Sequence, residues 1–267
     1  MYDSFWKVGI KLGFYVYCLV ILFFLLFPLL AVFPISFNDS IYLEFFGGGA
    51  HSLKWYKAFL QDKRWMRSLL LSLGVATFSA VIAAGIGTLA AIALDRLQFW
   101  GKSLIRSVLL SPLVMPVIVF AVAFYSTFAK IKVLPPLAAI IFSHSILGIP
   151  LVFLTVSAVL KGFNRRTELA AYNLGAGYLR TLLFVTIPSI KNGIIIGAVF
   201  SFLISLDELL LVMFLGDAET TTVSKRMWEA IRYNLNPVSA VVSCLLIVLS
   251  GGFILTTHFI GREKKNG

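Results

Sequence analysis

Two adjacent acids inside a long apolar run, Asp207 and Glu208, are the residues of this chain best suited to chemistry. They lie in SFLISLDELLLVMFLG, within an apolar stretch from Asn192 to Gly216. If this stretch crosses a membrane, each ionised acid costs about 2.5–3.5 kcal/mol to insert, so both need partners, water or protons. Adjacent residues point about 100° apart on a helix. We therefore expect one acid to face a cavity, where it could bind a cation; the alternative is that both stabilise helix packing.

Three further residues in apolar runs could line a path for a cation. His144, in IIFSHSILGIP, could bind a ligand through its imidazole, but a lone histidine is more often a packing residue. Phe124 and Tyr125 could offer aromatic faces to a cation. Together with Asp207 and Glu208 they form the predicted path, and we refer to these five residues as the path set.

Several other chemistries are missing from the sequence. It contains neither a GxxxxGK[ST] phosphate-binding loop nor an HExxH metal motif. Cys18 and Cys244 both fall inside apolar runs, which indicates neither a disulfide framework nor a metal site. We therefore do not expect this chain to be an enzyme, or to hold a metal or cofactor of its own.

The composition indicates an integral membrane protein. Hydrophobic residues make up 59% of the 267 residues and charged residues 13%, with a mean hydropathy of +0.93. The net charge of +11 could suggest nucleic acid as a partner, but the basic residues stand between apolar runs. Anionic lipid headgroups of the bilayer are the simpler partner, so we do not expect nucleic acid binding.

Six apolar runs are long enough to cross a hydrocarbon layer of about 30 Å as helices. They extend over Leu12–Asn38, Ser68–Leu94, Ser107–Ala129, Val133–Leu160, Asn192–Gly216 and Tyr233–Gly261. We expect Pro112 and Pro116 to break the third run and Pro150 to interrupt the fourth. The sequence thus predicts one all-α domain, residues 1–267, with six transmembrane helices. The distribution of Lys and Arg favours amino and carboxyl termini that are both cytoplasmic.

Residues 161–191 form a polar interruption between two apolar runs, and we refer to them as the 161–191 loop. Its basic residues, set against one acid (Glu168), are Lys161, Arg165, Arg166, Arg180 and Lys191. Asn164 or Thr167 can cap a short helix that ends before Gly175. A second helix, from about Tyr178 to Ile187, is expected to stop at Pro188. The charge bias predicts a cytoplasmic position.

This loop resembles that of a known family, the membrane-spanning subunits of binding-protein-dependent ABC importers. The family motif is Glu-Ala-Ala, three residues, Gly, and a Pro thirteen residues beyond the Gly. The matching positions are Ala170, Ala171, Gly175 and Pro188. Leu169 takes the place of the motif glutamate, and Glu168 stands one residue earlier. The stretches ALDRLQFWGK and SPLVMP also look like the family, and its polyamine permeases of the spermidine and putrescine type look most similar.

The resemblance implies a type I ABC importer permease in the bacterial inner membrane. Its implied partners are cytoplasmic ATPase subunits that bind ATP and Mg, a second and related permease, and a periplasmic or surface-tethered substrate-binding protein. The solute implied is polyamine-like, or another small organic cation or opine. The residues implied to couple to the ATPase are Arg165, Arg166, Glu168, Leu169, Ala170, Ala171, Gly175 and Pro188. A rival reading is an ion-coupled secondary transporter or channel subunit that works without an ATPase.

Overall fold

The computed structural model describes the backbone of residues 2–40, 51–131, 135–233 and 237–262, and most side chains between residues 11 and 257. The described residues are almost entirely helical, as predicted. The helices are α1 Tyr2–Ser36, α2 Lys54–Gln61, α3 Lys63–Arg96, α4 Lys102–Leu110, α5 Val117–Ile131, α6 Pro136–Lys161, α7 Arg166–Asn173, α8 Tyr178–Thr181, α9 Ile187–Asp207, α10 Leu210–Leu215, α11 Val223–Tyr233 and α12 Val238–Arg262.

Two compact units make up the chain. Unit 1 comprises residues 1–63 and 230–249, and unit 2 comprises residues 64–229 and 250–267. In unit 1, Ser36 at the end of α1 shares a hydrogen bond of 2.9 Å with the hydroxyl of Tyr56 on α2. The ring of Tyr56 also stacks on Phe37, with ring centroids 5.1 Å apart. Unit 2 contains the 161–191 loop and the path set, so the functional description below concerns unit 2 alone.

Five helical stretches in the described ranges are long and apolar enough to cross a membrane, and a bent pair brings the number to six. The bent pair joins Lys102–Leu113 to Val117–Phe128 at an angle of 102°. Its corner coincides with Pro112 and Pro116, whose missing N–H groups prevent a continuous helix. The predicted break in the third run is therefore confirmed, and it is a sharp corner rather than a kink.

Three helix boundaries differ from the prediction. The helix α6 runs through Pro150 without a break, although an interruption was expected there. Pro188 does not stop its helix either: a wider π-type turn over Leu182–Thr186 joins α8 to α9, and Pro188 stands in the first turn of α9. A first-turn residue needs no N–H partner, so the proline is tolerated there. The fifth run was expected to be one helix, yet α9 ends at Asp207 and α10 begins at Leu210.

Small residues allow α3, α6 and α9 to pack closely. Ser79, Ala83, Gly87 and Ala91 recur every fourth residue along α3, and all four are buried. A Cβ atom on Gly87 would lie 2.7 Å from the Cβ of Val152 on α6. The four-residue spacing on α3 therefore marks a real packing face, as small residues do where transmembrane helices approach each other.

One close approach of α9 to α6 occurs at Gly197. A Cβ atom there would lie 2.4 Å from the hydroxyl oxygen of Thr155 and 2.7 Å from the Cα of Val152. The backbone of α6 cannot move away without disturbing a core that includes Val152, Phe153 and Val156. Gly197 is thus required by helix separation rather than by an unusual backbone angle.

We expect Gly197→Ala to destabilise the protein by about 1–3 kcal/mol because the added methyl group overpacks this contact. The thermal unfolding midpoint of the purified protein in detergent measures the effect. Gly74→Ala is the matched control, because a Cβ at Gly74 on α3 meets nothing within 4 Å. Equal midpoints for both variants would contradict the packing described here.

Candidate functional site

The first half of the 161–191 loop is a short helix with a glycine turn. The side-chain oxygen of Asn164 accepts a hydrogen bond of 3.1 Å from the backbone N–H of Arg166, the first residue of α7. The N-cap position is Arg165, which makes no side-chain capping bond, so Asn164 supports the start of the helix from one residue earlier than a cap. After α7, Gly175 adopts φ +85°, and the N–H of Ala176 reaches the carbonyl of Ala171 at 3.0 Å. A left-handed residue followed by such a bond is a common way to end a helix, and glycine has the lowest cost there.

The loop exposes apolar side chains around its glycine turn. Leu169 is 58% exposed, Leu174 is 89% exposed, and Tyr172, on the same helix as Leu169, is 38% exposed. Ala170 and Gly175 are also exposed, and Ala171 is half-buried. Small residues among exposed leucines let another protein surface approach the backbone of α7 closely. Arg165 and Arg166, at the start of α7, are exposed as well.

Glu168 faces the interior of unit 2 rather than this exposed surface. Its carboxylate forms an ion pair with Arg96, the last residue of α3, and accepts a hydrogen bond from the hydroxyl of Thr186. The side chains of Arg96 and Glu168 are only 17% and 12% exposed. The guanidinium of Arg96 also lies over the ring of Tyr178, 5.6 Å from its centroid. One buried carboxylate therefore connects α3, α7 and the π-type turn.

A second ion pair attaches the loop to the end of α3. Arg165 donates to the carboxylate of Asp95 at 2.7 Å and to the carbonyl of the same residue at 3.3 Å. This pair is more open to solvent, since the Arg165 side chain is 59% exposed. Sequence reasoning missed Arg96, Asp95 and Thr186 because 72 residues separate Arg96 from Glu168. The sequence does contain one signal for this contact: Asp95 and Arg96 are an adjacent acid and base in ALDRLQFWGK, at the end of a predicted span.

The two acids of the path set stand at the break between α9 and α10. Glu208 has an extended backbone, with φ −70° and ψ 118°, and its carboxylate accepts a hydrogen bond of 3.1 Å from the N–H of Leu211 in the first turn of α10. It is half-buried, whereas Asp207 is exposed. The hydroxyl of Ser224 donates to the carbonyl of Leu206, near the end of α9. Glu208 therefore serves α10 as a cap, while the structure shows Asp207 at the exposed side of the break.

The remaining members of the path set surround this break from α5 and α6. Tyr125 is 52% exposed and packs edge-on against Phe214 of α10, with centroids 6.4 Å apart. Phe124 stacks on Phe120 at 6.0 Å and helps to cover a core that contains Leu211. His144 is 1% exposed, and its Nδ1 lies 2.7 Å from the hydroxyl oxygen of Ser205 on α9. The fold thus places His144 against α9 and Phe124 and Tyr125 against α10, with Asp207 and Tyr125 exposed and His144 enclosed between helices.

The connection that follows α10 is held by its own hydrogen bonds. The carboxylate of Asp217 accepts from the backbone N–H groups of Glu219 and Thr220, at 3.0 Å and 2.9 Å, and from the Thr220 hydroxyl. These bonds, chiefly those from Thr220, hold the pKa of Asp217 below its ordinary value. Glu219 forms an ion pair with Arg67 on α3. The two contacts order the chain between α10 and α11.

We expect Arg96→Gln to destabilise the protein by about 3–5 kcal/mol, because it leaves the Glu168 carboxylate buried without its cation. Trypsin should then cut the 161–191 loop of the purified protein faster than in wild type. Arg165→Gln breaks the more exposed pair with Asp95 and should cost no more than about 1 kcal/mol.

The double variant Arg96→Met, Glu168→Leu removes both buried charges and should regain much of the stability that Arg96→Gln loses. Equal losses in Arg96→Gln and Arg165→Gln, or no recovery in the double variant, would show that this ion pair does not hold the loop.

Three known proteins are similar to this chain over nearly its whole length. It is 28% identical to the spermidine/putrescine transport system permease protein PotC of Escherichia coli, over 91% of this chain and 92% of that protein. It is 29% identical to the putrescine transport system permease protein PotI of Escherichia coli, over 91% of this chain and 88% of that protein. A chain in the crystal structure of a bacterial alginate ABC transporter, in complex with an alginate pentasaccharide-bound periplasmic protein, shares its fold with a TM-score of 0.69. That match has 13% identity and covers 99% of this chain and 96% of the other.

Family membership follows from a match that covers most of the chain. Residues 83–264 match the family described as "Binding-protein-dependent transport system inner membrane component". The matched range includes the 161–191 loop, the path set and Arg96. Members of this family are permease components of ABC transporters rather than catalytic subunits. This chain, a multi-pass inner-membrane protein, therefore belongs to the family of binding-protein-dependent transport system inner membrane components.

Proposed function

We propose that this chain forms half of the translocation path of an ATP-driven importer for a polyamine-like solute or another small organic cation. The observation that carries the proposal is the exposed carboxylate of Asp207, the last residue of the candidate span Tyr178–Asp207, where the helix breaks before α10. A carboxylate at the end of a span needs water or a cationic group to meet its charge. The similarity to PotC and PotI over 91% of the chain supports a cationic solute.

Asp207 and Glu208 have different roles in this proposal because only Glu208 is engaged by the start of α10. Glu208 is engaged by the N–H of Leu211, so its charge serves the start of α10. Asp207, one residue earlier, is the acid that meets the solute, and Tyr125 presents an aromatic face in the same region. His144 and Phe124 support this region by packing, since both lie against neighbouring helices. Selection of the solute is shared with a periplasmic or surface-tethered substrate-binding protein.

The 161–191 loop is proposed to transmit the motion of cytoplasmic ATPase subunits to the spans. Those subunits bind ATP and Mg, and they contact the exposed side of the loop at Leu169, Ala170, Ala171 and Gly175. Arg165 and Arg166 flank this contact, and Pro188 stands where the loop passes into α9. Glu168 acts from the inside, because its ion pair with Arg96 makes the loop move together with α3. Both chain termini are proposed to be cytoplasmic, as the distribution of Lys and Arg predicts.

Transport in this proposal is alternating access. Closure of two ATPase subunits on ATP shifts the loop, the spans turn outward-open, and hydrolysis resets them. The break between α9 and α10 and the corner between α4 and α5 are the points at which the helices are proposed to bend, because the regular helix is already interrupted there. A second, related permease completes the path.

We expect Gly175→Val to lower solute uptake at least tenfold in the complete transporter, while the complex still assembles and hydrolyses ATP. Valine is strained at φ +85°, so the exposed turn changes shape. Gly177→Val is the matched control, because Gly177 has φ −73° and open space at its Cβ. Uptake and ATP hydrolysis are measured in liposomes with the binding protein and spermidine.

Two outcomes of this experiment would contradict the proposal. Normal uptake by Gly175→Val would remove the coupling role of the loop. Spermidine uptake by this chain alone, driven by an ion gradient and independent of ATP, would favour the secondary transporter instead.

Asp207→Asn should reduce spermidine uptake about tenfold or more, because a charge-assisted contact contributes about 1.5–3 kcal/mol. The amount of assembled complex should stay near that of wild type. Glu208→Gln removes the same charge one residue away, but its side-chain oxygen can still accept from Leu211, so uptake should fall much less. Equal reductions in both variants would indicate a general effect of charge, and unchanged uptake in Asp207→Asn would favour the packing role.

A further inference from the structure

A cavity of about 760 Å³ lies in unit 2 beside the attachment of the 161–191 loop. Its walls come from the last turns of α3, the first turns of α4, the connection between them and the last turns of α6. None of the path set or the proposed ATPase contacts lines it. The function proposed above therefore leaves this cavity without a role.

Positive charge dominates the described lining of the cavity. Lys102 and Arg106 stand one turn apart on α4, and Lys161 ends α6. The acid in the lining, Asp95, is already paired with Arg165 at 2.7 Å. Lys102 uses one donor on the carbonyl of Leu97, at 3.0 Å, which leaves it two N–H groups for a ligand. Three cations around one space, with the neighbouring acid neutralised, attract an anion.

The other lining residues indicate that the anion carries apolar groups. Phe99, Trp100 and Phe153 line the cavity together with Leu94 and Ala91. Trp100 is fully exposed, beside the charged residues and at the end of a span. Tryptophan at that level is typical of the membrane interface, where its ring meets both headgroups and hydrocarbon.

The geometry of α4 places this cavity at the membrane face that carries the 161–191 loop. The spans α3 and α6 both end here, at Arg96 and Lys161. The pair of helices that contains α4 and α5 bends by 102°, so α4 and α5 run in clearly different directions. Leu104, Ile105 and Val108, on α4, are 68%, 46% and 62% exposed. The helix α4 thus combines cations toward the cavity with an apolar surface suited to lipid.

We propose that this cavity is a binding site for an anionic phospholipid, whose phosphate lies between Lys102, Arg106 and Lys161. Its acyl chains lie along the exposed apolar residues of α4. Phospholipid is favoured over a soluble phosphate ligand because the cations adjoin an apolar surface at the membrane face, where anionic lipids are abundant. The bound headgroup occupies the space beside Asp95, and through the Asp95–Arg165 pair it adjoins the start of α7.

The test is lipid binding to the purified, delipidated full-length chain in detergent, followed by native mass spectrometry. Phosphatidylglycerol should bind at least tenfold more tightly than phosphatidylcholine. In Lys102→Gln, Arg106→Gln this preference should fall at least tenfold. Arg180→Gln, Lys191→Gln is the matched control, because it removes the same charge from exposed residues of the 161–191 loop outside the cavity lining. The control should keep the wild-type preference.

A second measurement keeps the test independent of folding. Phosphatidylglycerol should raise the thermal unfolding midpoint of wild type and of the control, but not that of Lys102→Gln, Arg106→Gln. Lys161→Gln, at the end of a different helix, should weaken binding on its own, so a folding defect in α4 does not decide the result.

Four outcomes would overturn the proposal. They are equal binding of the two lipids by wild type, an undiminished preference in Lys102→Gln, Arg106→Gln, an equal loss in the control, and displacement of the lipid by millimolar inorganic phosphate. Loss of ATPase binding by the cavity variant with unchanged lipid binding would assign the cavity to a protein contact instead.

Discussion

The buried ion pair between Arg96 and Glu168 is the interaction on which the position of the 161–191 loop depends. It places a carboxylate in the interior, where a charge is tolerated only with a partner, and it supplies that partner from the last residue of a span. The hydroxyl of Thr186 and the ring of Tyr178 complete the surroundings. Since the partners come from α3, α7 and the segment before α9, none of these elements can shift alone without separating the charges.

This arrangement explains physically why the 161–191 loop has glycine and small residues at the positions that resemble the importer family. Glycine at Gly175 and small residues at Ala170 and Ala171 shape the outside of the loop, where another protein can approach its backbone. Glu168, one residue before the position of the motif glutamate, stabilises the loop from the inside. In the function proposed above, the exposed side of the loop binds the ATPase subunits and the buried side transmits displacement to α3 and α9.

The spans combine closely packed segments with places where the helix is interrupted. Close contacts of glycines with neighbouring helices hold α3, α6 and α9 together, and Gly197 shows how little space is left. By contrast, the span Tyr178–Asp207 ends at a backbone break before α10, and the helix pair with Pro112 and Pro116 turns a corner. Irregular backbone within a membrane is stable only where other groups satisfy its polar atoms. Glu208 and Ser224 satisfy atoms at the break near Asp207, which leaves Asp207 exposed.

The sequence by itself determined the class of the protein, because long apolar runs and the spacing of Ala170, Ala171, Gly175 and Pro188 are local patterns. The four-residue period of small residues on α3 is also visible in the sequence, but their burial and the close contact of Gly87 with Val152 come from the structure. Local rules failed at Pro150 and Pro188, where a proline was expected to break or end a helix that continues.

Only the tertiary structure decided that Glu168 turns inward to Arg96 and that Glu208 caps α10 while Asp207 stays exposed. Both outcomes depend on partners and backbone breaks that no local pattern specifies, because an ion pair across 72 residues forms only once the helices have packed.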